Sequence, residues 1–376
     1  MAAGGVYVHL PFCPYVCPYC DFAKWRFDAA AAARYLAALR TQIEGAARFE
    51  GRTLFLGGGT PNTYAPGDVA LLVGEVRRRF SLQEGAEVTI EVNPDLELCA
   101  GFDMYRKAGI NRLSVGVQSL VSGELRALGR GHAPRDVAET VRRARSAGFE
   151  NISLDLMFGA PGQSADSWLA TLQLALSLDV EHISTYGLTI EVGTPYARWH
   201  ARDASAFADD DLQADLYGIA IDTLTSAGFE QYEISNFARP GFRCAHNANY
   251  WANGDYLGLG VGAASYLDGQ RSTTTRDLAE YESAAAAGRK VPAESERLEG
   301  AARVGEAAML ALRTAEGVDF ASFAERYHVG FNEMFSSVLE ELRAAGLVRV
   351  TQTHVALTRR GRFLANDVCA AFLVAA

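Results

Sequence analysis

Three thiols are crowded into one short stretch, Cys13-Pro14-Tyr15-Val16-Cys17-Pro18-Tyr19-Cys20, with the spacing C-x3-C-x2-C. Thiolates so spaced on one loop can hold three irons of a [4Fe–4S] cluster and leave the fourth open to a small molecule. A structural zinc site is the competing chemistry, since zinc takes four protein ligands, commonly as two separated short pairs. No second C-x2-C pair is present, so a fourth zinc ligand would have to be His9, Asp21 or a more distant residue. Spacing favours the cluster and leaves zinc or isolated thiols as alternatives. The other cysteines, at 99, 244 and 369, are too sparse for a disulfide framework. Cys99 and Cys369 lie in apolar helical patterns and read as buried thiols.

A second block with chemical content is Cys244-Ala245-His246-Asn247-Ala248-Asn249-Tyr250-Trp251. A neutral imidazole is a good axial ligand for heme iron, and Tyr and Trp offer flat apolar surface to a macrocycle. On residue types alone, His246 reads first as a core histidine hydrogen-bonded between packed aromatics. The histidines at 9, 132, 182, 200, 328 and 354 stand in no comparable constellation.

These residues need a scaffold, and the chain supplies a rhythm. Short apolar runs at 6–10, 53–56, 88–92, 112–117, 152–156 and 182–186 alternate with helical periodicity between about 30 and 82, then near 95–108, 121–147, 164–178 and 209–227. Such alternation implies parallel strands covered by helices. Six repeats are too few for a closed eight-stranded barrel, so the expected fold is α/β, a partial (β/α)6 TIM-like barrel. Functional groups gather at the C-terminal ends of such strands. The cysteine loop, Gly57-Gly58-Gly59-Thr60-Pro61, Glu91-Val92-Asn93-Pro94, Gln118-Ser119 and Asp155 all fall at or near those ends. They should share one mouth.

The expected organisation is a barrel domain over 1–230, a connecting segment over 231–300 that carries the histidine block and completes the site, and a C-terminal unit over 301–376. That last unit reads as helices near 301–313, 319–327 and 331–345 followed by a short hairpin, a winged-helix pattern. A net charge of -10 argues against nucleic acid as a partner. No apolar run reaches the about 18 residues of a membrane span, and no signal peptide opens the chain, so a cytoplasmic protein with reduced thiols is expected.

The cysteine loop, the glycine run, Glu91-Val92-Asn93-Pro94, Ser114-Val115-Gly116-Val117-Gln118-Ser119, Leu128-Gly129-Arg130 and Asp155-Leu156-Met157 together resemble the radical S-adenosylmethionine (SAM) superfamily. Within it, the set is similar to the oxygen-independent coproporphyrinogen oxidase group, which includes heme chaperones, and the resemblance covers nearly the whole chain. It implies that Cys13, Cys17 and Cys20 hold a [4Fe–4S] cluster whose open iron is chelated by SAM. It further implies SAM contacts at Gly58, Gly59, Thr60, Glu91, Gln118, Arg130 and Asp155, with Tyr7 and Tyr19 packing beside the sulfonium. Charges suit these roles, with Glu91 matched to ribose hydroxyls and Arg130 to the carboxylate. In the family one electron cleaves SAM to methionine and a 5′-deoxyadenosyl radical, so a donor such as a flavodoxin or ferredoxin is implied.

Two departures bear on the choice within that group. The oxidases carry a further cysteine two residues after the third ligand, where this chain has Phe22, and a longer extension ahead of the cluster than the 12 residues before Cys13. In the other direction, His246-Asn247-x-x-Tyr250-Trp251 resembles the H-N-x-x-Y-W signature associated with heme binding in the chaperones. The expectation is a heme chaperone that binds heme, with His246 as a ligand, and passes it to an acceptor protein. The alternative is an oxidase that decarboxylates porphyrinogen propionates.

Overall fold

The computed structural model describes residues 3–374. Six parallel strands form its centre: β1 (Ala3–Leu10), β2 (Glu50–Gly58), β3 (Glu87–Val92), β4 (Arg112–Gln118), β5 (Ile152–Phe158) and β6 (His182–Gly187). Each coincides with one of the apolar runs. Parallel neighbours require a crossover, and helices Ala29–Gly45, Pro66–Arg79, Pro134–Ser146 and Ala165–Ser177 supply it on the outer face. Asp28 and Ser164 start two of them by accepting the backbone N–H groups of Ala31 and Ser167.

Strand alternation separates the two faces. Val6, Val8, Leu54, Leu56, Val88, Ile90, Leu113, Val115, Ile152 and Leu154 pack against the helices with no exposure. The opposite face lines a lumen, and there the register row Tyr7–Phe55–Thr89–Arg112 runs across four strands. Above it, Glu91 pairs with Ser114, and Gly116 with Asp155. The fully buried Trp168 closes the outer layer by donating from Nε1 to the Leu216 carbonyl at 2.9 Å.

Residues 231–300 extend both edges of this sheet. On one side β7 (Glu230–Gln231) pairs antiparallel with β8 (Asn236–Ala238), which runs antiparallel beside β6. On the other, β9 (Tyr256–Leu259) lies parallel to β1, followed by antiparallel β10 (Ala264–Leu267), β11 (Gln270–Thr274) and β12 (Ala293–Arg297). The result is a 12-stranded sheet ordered β12-β11-β10-β9-β1-β2-β3-β4-β5-β6-β8-β7. It curls around the lumen without closing.

The C-terminal unit has its own core, in which Phe335 and Phe372 pack against Phe331. Helices Gly300–Leu312, Phe320–Tyr327, Phe331–Met334 and Ser336–Ala344 precede a hairpin, Val348–Val350 and His354–Leu357. The hairpin gains a third strand, Val318–Asp319, and two further helices, Arg359–Phe363 and Ala365–Val374, follow it. A bidentate Arg359–Asp222 pair (2.5 and 2.8 Å) ties the unit to the barrel. Among the described residues no helix is long and apolar enough to cross a membrane.

The inner-face and outer-face assignment has a direct check. Leu154→Ala in β5 should lower stability by about 2–5 kcal/mol in chemical denaturation, because it leaves a cavity under the helices. Leu71→Ala, at a position 60% exposed, should change it by less than about 0.5 kcal/mol.

Candidate functional site

The lumen holds a cavity of about 580 Å³ that reaches from the cysteine loop at the C-terminal strand ends to His246 at the opposite end. The loop is held by backbone bonds: Phe12–Cys13 pairs with Trp25–Arg26, and Phe27 N–H donates to the Cys13 carbonyl at 2.8 Å. Lys24 Nζ adds a bond to the Cys20 carbonyl at 2.5 Å. Cys13 and Cys17 are buried and Cys20 half-buried, all with free thiols. Burial pushes the Cys13 thiol up to about 11, against a hydrogen bond from Thr60, and also raises Cys20. Thiols so placed ionise when a metal supplies the missing positive charge.

The donor set fits an iron–sulfur cluster better than zinc. Among the described residues no three His, Cys, Asp or Glu side chains converge closely enough to hold a single ion. Three thiols from one short loop line a single cavity mouth, and no second short cysteine pair exists in the sequence to complete a zinc site. Beside them, Arg130 places Nη1 3.7 Å from Cys17 Sγ and its guanidinium over the Tyr15 ring. Its Nη2 donates to Asn93 Oδ1 and to the Gly116 carbonyl, both at 2.7 Å, while its buried Nε has no partner. An N–H without an acceptor beside a cavity is one an incoming carboxylate could take.

The glycine run is fixed by close approach. Gly58 has φ +106° and a Cβ there would strike the His9 ring; a Cβ on Gly59 would meet the Pro11 backbone at 2.6 Å. The N–H groups of Gly58, Gly59 and Thr60 are taken by Glu91 Oε2, the Leu10 carbonyl and the Phe12 carbonyl. An approaching amine would therefore meet the carbonyls of the run, which is the right polarity for a donor. Deeper in the lumen, Asp155 accepts from Ser114 Oγ at 2.8 Å and Ser153 Oγ at 3.3 Å. Desolvation, then the nearby Asp155, pushes Glu91 up to about 7. Desolvation likewise raises Asp155, opposed by its serine bonds. Gln118 follows a register shift in β4 and sits at φ +65°, which turns it toward the cavity.

Tyr7, Tyr19, Gly58, Gly59, Thr60, Glu91, Gln118, Arg130 and Asp155 thus line one cavity with the three cysteines. His246 lines it too, but from the floor, at the N-terminal strand ends. It is the second residue of helix Ala245–Trp251, whose first N–H groups are capped by Glu87 at 3.0 Å. Only 1% exposed, it stacks on Phe55 and bonds Thr53 Oγ1 (2.7 Å) through Nδ1 and the Tyr250 hydroxyl (2.8 Å) through Nε2. Burial, with Arg112 nearby, lowers it to about 3, so it is neutral. Neither nitrogen is free for iron in this conformation.

Two features of the site lay outside the sequence argument. Arg112 is 2% exposed, lines the cavity and has no partner for Nε and no ion pair among the described residues. A cation leading an apolar strand was its signal. Tyr15, which bonds Asp95 Oδ2 (3.1 Å) and Asn93 Nδ2 (3.2 Å), braces the loop against β3; nothing in its spacing announced that.

Glu91 yields a pH test. The unfolded chain releases this proton near 4.5 and the folded chain near 7, so stability falls as pH rises through that window. Glu91→Gln keeps an acceptor for the Gly58 N–H and removes the titration. The variant should gain stability relative to wild type between pH 4.5 and 7, by at most about 3 kcal/mol and less where cavity water screens the charge. Urea melts across that range, giving a parallel pH dependence for both proteins, would refute the assignment.

Comparison with known proteins places this geometry. The radical SAM superfamily profile matches residues 7–175, and the HemN C-terminal domain profile matches residues 298–364. Heme chaperone HemW of Bacillus subtilis (strain 168) is 35% identical over 98% of each chain, and that of Escherichia coli (strain K12) is 37% identical over 72% of this chain and 73% of its own. The solved coproporphyrinogen III oxidase HemN of Escherichia coli, described as a radical SAM enzyme, superposes with a TM-score of 0.86 at 25% identity, covering 99% of this chain and 90% of its own. With its match to the Bacillus subtilis chaperone over 98% of each chain and its cysteine-lined partial barrel, the chain belongs to the HemW family of radical SAM proteins.

Proposed function

We propose that this protein is a cytoplasmic heme chaperone that carries a [4Fe–4S] cluster and SAM at the barrel mouth, binds heme, and passes it to an acceptor protein. One observation carries the reading: a single cavity is walled by the cysteine loop above and by His246, Asn247 and Tyr250 below. Cluster and heme-associated motif thus share a chamber rather than lying on separate faces.

In this reading Cys13, Cys17 and Cys20 ligate the cluster. Arg130 takes the SAM carboxylate on its free Nε, and the carbonyls of the Gly58–Thr60 run take the amine. Glu91 accepts from the ribose, with Gln118 and Asp155 farther along the ligand. Tyr7 and Tyr19 wall the sulfonium from water. Protonated at neutral pH for part of the time, Glu91 can also donate, which lets it adapt to either hydroxyl orientation. When bound, such a centre supplies one-electron reduction of a sulfonium, with the electron coming from a donor such as a flavodoxin or ferredoxin. The protein's part is to bind, orient and exclude water.

The oxidase reading has less support. Phe22, 61% exposed, occupies the place of the oxidases' further cysteine. Anaerobic reconstitution with iron and sulfide should give a brown protein whose colour is lost in the triple variant Cys13→Ser, Cys17→Ser, Cys20→Ser. Hemin titration should then give a stoichiometric Soret shift, while coproporphyrinogen, SAM and reductant should release no carbon dioxide. Decarboxylation without heme uptake would reverse the order of the two readings.

A further inference from the structure

The floor of the lumen holds a charge for which the chemistry at the mouth has no use. Arg112 opens β4 and lines the cavity at the end where the histidine block stands. It is 2% exposed, leaves Nε without a partner and makes no ion pair among the described residues. The two carboxylates that act on it, Glu87 and Asp155, are bonded elsewhere. Glu87 accepts from the N–H groups of Ala245 and His246 at 3.0 Å and from the Cys244 thiol at 3.4 Å. Asp155 accepts from Ser114 Oγ and Ser153 Oγ. Burying a guanidinium is costly unless acceptors face its N–H groups, so a ligand oxygen is the partner this site lacks.

We infer that Arg112 anchors a propionate of the bound heme at the barrel floor, beside the histidine block. The inference rests on the heme-chaperone reading above and adds the group that recognises the anionic edge of the ligand. Flat apolar surface lies next to the guanidinium. Phe55 stacks on His246 with ring centroids 5.2 Å apart and on Tyr7 at 6.2 Å, and the three rings make one wall of the lumen. The cavity's remaining polar groups at this depth are small and neutral, the hydroxyls of Ser114 and Ser184 and the amide of Asn247. An aromatic wall that ends in a single buried cation matches a planar tetrapyrrole with propionates on one edge. A guanidinium suits that edge because it can offer a carboxylate two parallel N–H groups.

The lumen therefore has two arginines for two carboxylate ligands. Arg130 stands beside Cys17 at the mouth, where the SAM carboxylate is read to bind. Arg112 stands at the far end, close enough to His246 to help hold that imidazole neutral. A heme held by its edge on Arg112 lies against the histidine block while Arg130 keeps its own ligand.

The experiment is titration of the reconstituted protein with hemin, with hemin dimethyl ester, whose propionates carry no charge, and with SAM. Wild type should bind the ester at least about tenfold more weakly than hemin. Arg112→Met should lose about tenfold in hemin affinity and bind the ester as wild type does, so that the discrimination disappears, with SAM affinity unchanged. Iron content and thermal midpoint check that the variant is intact. Should Arg112→Met fail to fold, Arg112→Lys decides, since it keeps the charge and loses the paired N–H groups. A loss of about fivefold for hemin with ester binding unchanged supports the anchor, and hemin binding as tight as in wild type overturns it. Equal wild-type affinity for hemin and its ester, or an Arg112→Met protein that still discriminates or that loses SAM instead, would overturn the anchor and leave the chaperone reading in place. Absence of saturable hemin binding to wild type would overturn the chaperone reading itself.

Discussion

Arg130 brings a fixed positive charge into a largely enclosed space, and the surrounding architecture follows from how that charge is satisfied. One nitrogen bridges Asn93 at the end of β3 and the Gly116 carbonyl in β4, another faces Cys17, and the plane covers Tyr15. Buried charges persist only where several groups share the desolvation cost. The guanidinium therefore ties two neighbouring strands to the cysteine loop at Cys17. The opposite end of the lumen has Arg112 with fewer partners, beside Glu87 and Asp155. A barrel with the better-satisfied cation at one end and the poorly satisfied one at the other is polarised along its axis; between them desolvation pushes Glu91 up to about 7 and also raises Asp155.

Much of this was legible from residues alone. The six central strands are parallel, with helices on the outer face and a largely enclosed lumen on the other, so each carries an apolar run that stands out from the amphipathic helices around it. Strand ends in such folds converge by geometry, which is why Glu91, Gln118 and Asp155 could be assigned to one mouth before any coordinates. Edge strands were not legible. β7, β8 and β9 have two to four residues each, and β9 pairs with β1 from the far end of the chain, so no local periodicity reveals them. The two-residue strand Val318–Asp319 of the C-terminal unit escaped for the same reason, whereas helix Ala365–Val374 is the apolar helical pattern read around Cys369.

The position of His246 shows a different gap. Its residue type suggested a ligand, but type says nothing about which end of a barrel a helix occupies. Helix Ala245–Trp251 runs into β9, and β9 is parallel to β1, so its residues must lie below the sheet, away from the cysteines. Once there, Gly5 becomes a packing requirement, since a Cβ at that position would meet the imidazole at 2.9 Å. Connectivity, not composition, sets which end of the barrel His246 occupies.

A sheet that curls without closing keeps two free borders. One is β7, only two residues long; the other is β12, exposed along its whole length and carrying Glu294, Glu296 and Arg297. Unpaired strand borders are templates for self-association, and shortness and charge are the usual deterrents. The additions that widen this scaffold beyond six strands thus also decide how it avoids polymerising with its own copies.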